Sequence, residues 1–72
     1  MSPETLTRMA NQIARFFDSQ PGPAAEAVAD HINDFWEPRM RARLLAHIEA
    51  GGEGLHPAVR DAAPLIRRPL AA

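Results

Sequence analysis

The chain has 72 residues, about half the usual single-domain length, so it holds at most one small domain whose own core leaves stability marginal. Cysteine is absent, which excludes disulfides, thiolate-bound zinc, iron–sulfur ligation and thiol catalysis by this polypeptide, and leaves partners as the expected supplement. Eight arginines, no lysine and nine carboxylates give a net charge of −1, which provides no general field for nucleic acid or anionic membrane.

Ser2-Pro3-Glu4 is a helix-start signal: a capping hydroxyl, a proline preset for the first turn and an early carboxylate. A first helix is expected over about residues 3–19, with Leu6, Met9, Ala10, Ile13, Phe16 and Phe17 as its apolar stripe. Arg8, Asn11, Gln12, Arg15 and Asp18 fall outside it. Pro21-Gly22-Pro23 ends this helix, and Pro23 opens a second over about 23–36. There Val28, Ile32, Phe35 and Trp36 gather on one side, while Glu26, Asp30, Asn33 and Asp34 make an acidic outer face.

Pro38 begins a third helix over about 38–50, whose stripe is Met40, Leu44, Leu45 and Ile48. Arg39, Arg43 and His47 run along its edge and Arg41 lands inside the stripe. Gly51-Gly52 stops it. A short fourth helix follows Pro57, over about 57–63. The expected fold is therefore all-α: three main helices and a short fourth in a single domain over 1–63, followed by a proline-containing, irregular tail over 64–72 with Leu65, Ile66 and Leu70 as apolar handles. No apolar run approaches the roughly 18 residues of a membrane span, and the first residues lack a signal peptide's basic flank and apolar stretch, so a soluble cytoplasmic protein is expected.

Little here carries chemistry. His31, His47 and His56 fall on three segments, without the one-face pair of a helical metal site. Asp30 and Asp34 lie one turn apart, yet no nucleophile or phosphate cradle accompanies them, so they read as a solvated face. The glycines around Glu53 lack the lysine and preceding strand of a phosphate-binding loop. Arg39, Arg41 and Arg43 could form bidentate pairs with carboxylates, Asp30 and Asp34 among them. Phe35 and Trp36 point about 100° apart, so one faces the interior and the other is a candidate anchor for a partner.

The string from His31 to Arg41, HINDFWEPRMR, then Leu44-Leu45-Ala46-His47, Gly51-Gly52-Glu53-Gly54-Leu55 and Pro57-Ala58-Val59-Arg60, resembles the delta subunit of NAD-dependent, molybdenum-containing formate dehydrogenases. The opening LTRMANQIARFF, Leu6 to Phe17, is similar to that family's first helix. The resemblance implies a noncatalytic subunit of a cytoplasmic complex oxidising formate to carbon dioxide. Its molybdenum bis-guanine-dinucleotide cofactor and most iron–sulfur clusters would sit in the large alpha subunit, and FMN and NAD in beta, with gamma also present and no redox centre in delta. It offers no catalytic, cofactor or metal residues to transfer; Phe35, Trp36, Arg39, Met40, Arg41 and Arg43 become the candidate partner-binding set. Trp36→Ala or Arg41→Ala is then expected to lower complex recovery while leaving the chain helical. Two other readings stand beside this one: a transient assembly chaperone for the molybdoenzyme, and a small DNA-binding domain using residues 38–50 as recognition helix.

Overall fold

Prolines set where three of the helices begin. The structure, a computed structural model, describes residues 2–69; Leu70, expected as an apolar handle, lies outside them. Four helices follow in order, α1 (Pro3–Asp18), α2 (Ala24–Phe35), α3 (Pro38–Glu49) and α4 (Pro57–Ala62), and the described residues contain no strand. Proline stands first in α1, α3 and α4, where its missing N–H removes no helical hydrogen bond. The Ser2 hydroxyl caps α1 by accepting from the Thr5 amide at 3.2 Å. Pro23 is the N-cap of α2 rather than its first helical residue, and no side chain caps that end.

The stop after α3 is a Schellman closure. The Gly52 amide donates to the His47 carbonyl at 2.9 Å and the Gly51 amide to Ile48 at 3.0 Å, which requires the chain to swing through positive φ, 123° at Gly51 and 63° at Gly52. Gly52 is also buried beneath Arg60, whose guanidinium Nη2 donates to the Gly52 carbonyl at 2.9 Å. The reversal sends residues 53–56 back across α1.

The core draws on every helix: Leu6, Ala10 and Ala14 of α1, Val28, Ala29 and Ile32 of α2, Leu44 and Leu45 of α3, and Ala58, Val59 and Ala62 of α4. In α1 the buried line runs through Ala10 and Ala14, both fully covered, and not through Phe16 as the sequence stripe suggested. Alanines let helix backbones approach closely, and that approach leaves Phe16 on the outer flank, 60% exposed. α2 packs most extensively on α4 and also meets α1, which in turn contacts α3 and α4. The radius of gyration is 11.1 Å, matching the roughly 11 Å of a compact chain of this length.

The tail is more ordered than expected. Ala63–Leu65 form a 3-10 turn and Ile66 is buried in the core, so apolar burial continues past Pro64. Polar side chains secure these late segments. Asn33 donates through Nδ2 to the Leu65 carbonyl at 3.0 Å and accepts from the Arg67 amide at 2.7 Å. Asn11 does the same for the preceding loop, donating to the Gly54 carbonyl at 2.9 Å and accepting from the His56 amide at 2.8 Å. Both asparagines are thus half-buried clamps, although their helical positions put them outside the apolar stripes.

His56 caps α4. Its Nδ1 accepts from the Ala58 amide at 3.0 Å, which places the ring proton on Nε2, 3.8 Å from an Asp18 carboxylate oxygen. The start of the helix is therefore capped from within the chain. His56→Ala should remove the cap and cost about 1 kcal/mol, seen as a lower urea midpoint; an unchanged midpoint would show that the ring contributes nothing to α4.

Candidate docking surface

The segment from Phe35 to Arg41 is the turn between α2 and α3. Phe35 is the last residue of α2, and Trp36 breaks the helix with extended backbone angles, φ −87° and ψ 138°. This break turns the two rings to opposite environments: Trp36 is 6% exposed and joins the core, while Phe35 is 74% exposed. Of the pair, Phe35 is therefore the ring at the surface. Arg41, read as a docking cation, is half-buried and points inward at main-chain oxygens. Its Nη1 donates to the Trp36 carbonyl at 2.9 Å and its Nε to the Arg67 carbonyl at 3.0 Å, so it fastens the turn to the tail. Met40 is half-buried against the core, whereas Arg39 and Arg43 lie exposed on α3.

Two of the six candidates, Trp36 and Arg41, are thus turned into the fold. Because the Trp36 ring fills part of the core, Trp36→Ala perturbs the fold as well as any docking surface. The expected pairing of the arginines with Asp30 or Asp34 is also not made: among the described residues no ion pair reaches either carboxylate. The ion pair of Arg68 with Glu49, at 2.8 Å, is exposed at both ends and so adds little.

Phe35 is the end of a longer feature. Its ring lies 4.8 Å from that of His31, His31 lies 6.2 Å from Phe17, and Phe17 meets Phe16 edge-on at 5.1 Å. These four rings cross from the last turn of α1 to the end of α2. A shallow groove of about 270 Å³, lined by Gln12, Ile13, Phe16, Phe17 and His31, runs at their α1 end. Sequence reasoning missed Phe16, Phe17 and His31 as site residues. The signal was present: Phe16-Phe17, like Phe35-Trp36, is an adjacent pair that one core cannot cover.

A second, mostly apolar cleft of about 500 Å³ lies between the start of α1 and the outer side of α3, lined by Pro3, Leu6, Thr7, Arg43, Leu44, Ala46 and His47. His47 is held there by donating to the Glu53 carbonyl at 2.9 Å. Neither hollow gathers acid, base and nucleophile. Among the described residues no three of His, Asp and Glu converge as a metal site would require, and the sequence supplies no cysteine for a molybdenum or iron–sulfur centre. No helix among the described residues is long and apolar enough to cross a membrane.

A family model described as the NADH-dependent formate dehydrogenase delta subunit, FdsD, matches residues 5–63, which take in all four helices from the first turn of α1 onward. The chain belongs to that family. FdsD is one subunit of a formate dehydrogenase complex, so the resemblance read from the aromatic-proline-arginine and glycine blocks holds over most of the chain. No curated protein matches it. Within this FdsD chain the motif residues separate into two groups. Trp36, Pro38, Arg41 and the glycines at 51 and 52 build the fold, while Phe35 and Arg39 are presented outward.

Proposed function

We propose that the chain is a noncatalytic accessory subunit that docks on the large molybdenum-containing alpha subunit of a cytoplasmic NAD-dependent formate dehydrogenase and supports its assembly, cofactor insertion or stability. The observation that carries this reading is the FdsD match over residues 5–63. In support, the fold leaves the large rings of Phe16 and Phe35 exposed. In this reading the molybdenum bis-guanine-dinucleotide cofactor, iron–sulfur clusters, FMN and NAD are held by the other subunits, alpha and beta with gamma beside them. The chain acts by mass action: covering its exposed apolar residues favours the folded, associated form of both partners.

The test is mass spectrometry of native complexes recovered through a tag on this chain. The expected result is the formate dehydrogenase subunits in fixed stoichiometry with the chain, from fully active enzyme. Recovery only with immature, cofactor-free alpha subunit would instead make it a transient chaperone. Absence of any formate dehydrogenase subunit would overturn the proposal. The purified chain alone, given formate and NAD, should show no turnover.

A further inference from the structure

Resting on that subunit reading, we infer that the docking face is the α1–α2 ring strip and that its occupant is a basic, apolar-surfaced segment of the larger subunit. The rings of Phe16 and Phe35 would enter the partner, and its lysines or arginines would meet the carboxylates of α2.

Three observations converge on this face. First, Phe16 and Phe35 are among the large hydrophobics left exposed, and Phe17 and His31 connect them into one continuous strip. Aromatic side chains of this kind dominate binding energy when buried at an interface. Second, Glu26, Asp30 and Asp34 recur every four residues on the outer crest of α2, all exposed. At about 100° per residue Asp34, three positions on, falls about 60° from His31, so a body covering the rings and reaching round α2 meets the acids. Third, no ion pair among the described residues neutralises this row, which repels itself along the helix.

Those acids decide the partner's sign. Carboxylates drawn out of water beside a ring strip need cations opposite them, and like charge there is strongly rejected. A second copy laid with its α2 along this α2 would set acid row against acid row. An anionic lipid surface would be repelled for the same reason. A protein segment with an apolar centre and a cationic rim satisfies both halves of the patch.

The experiment uses the co-expressed complex, with recovery of alpha subunit on the tagged chain as the readout. Phe16→Ser/Phe35→Ser and, separately, Asp30→Lys/Asp34→Lys should each reduce recovery at least tenfold, and wild-type recovery should weaken from 50 to 500 mM salt. Asp61→Lys, at an exposed position of α4, should leave recovery unchanged. Circular dichroism melts check that each variant is folded; the charge reversal, confined to exposed positions, keeps the test decisive if the serine variant melts early. Wild-type recovery of both double variants, with loss in Asp61→Lys, would overturn the inference by moving the interface to α4. Self-association of the free chain that the serine variant abolishes would overturn the assigned occupant. A wild-type chain that never recovers alpha subunit overturns the subunit reading itself, and this inference with it.

Discussion

Trp36→Ala should lower the stability of the free chain by about 3–5 kcal/mol, the usual result of emptying a buried aromatic site. A domain of this length has about 4–11 kcal/mol in total, so the loss takes a large share of the stability and unfolds the variant without denaturant where the total is near the lower figure. The reason is placement: the ring is 6% exposed and belongs to the buried core, which draws on all four helices and also holds Ile66 of the tail. Trp36→Phe keeps most of the buried volume and should lose well under half as much. Urea titration followed by far-ultraviolet circular dichroism separates these outcomes, and an unchanged midpoint for the alanine variant would show that the ring is not in the core. Any loss of complex in Trp36→Ala then reports unfolding, which is why exposed positions are the proper probes of docking.

Asn11→Ala should cost about 2–3 kcal/mol, because it removes one hydrogen bond and leaves the half-buried His56 amide without an acceptor. That amide belongs to the cap of α4, so the loss propagates: a released His56 no longer presents Nδ1 squarely to Ala58. Hydrogen exchange at Leu55 and His56 should accelerate more than in α2. Asn11→Asp keeps the acceptor and loses the donor to Gly54, and should fall between wild type and alanine. Equal protection in all three proteins would show that Asn11 does not hold the loop.

What was legible in the sequence divides by range. Helix starts at Pro3, Pro38 and Pro57, the stop at Gly51-Gly52 and the all-α class were readable, because each depends on residues within a turn of one another. Asn11, Asn33 and Arg41 were not. Apart from the Trp36 carbonyl, five residues before Arg41, their partners are main-chain groups 26 to 45 residues away, and a carbonyl has no signature in sequence. Helical periodicity placed both asparagines among the polar positions, and it cannot tell a solvated amide from one bonded to a distant loop. Arg41 was correctly placed within the apolar stripe, but the more distant of its two acceptors, the Arg67 carbonyl, depends on where the tail returns. The four-ring strip was half legible: Phe35 was identified as one of a divergent pair, whereas its continuation through His31 to Phe16 required knowing that α1 and α2 lie side by side.

The burial of Trp36 has a practical corollary. It is the sole tryptophan, and there is no tyrosine, so nearly all intrinsic fluorescence excited at 295 nm comes from one indole sheltered from water. Emission should be blue-shifted in the native chain and move red in one step on denaturation. Because the indole sits away from the surface while Phe35 faces outward, that colour tracks the integrity of the interior. A binding-defective variant that keeps the native spectrum has lost its partner, not its shape.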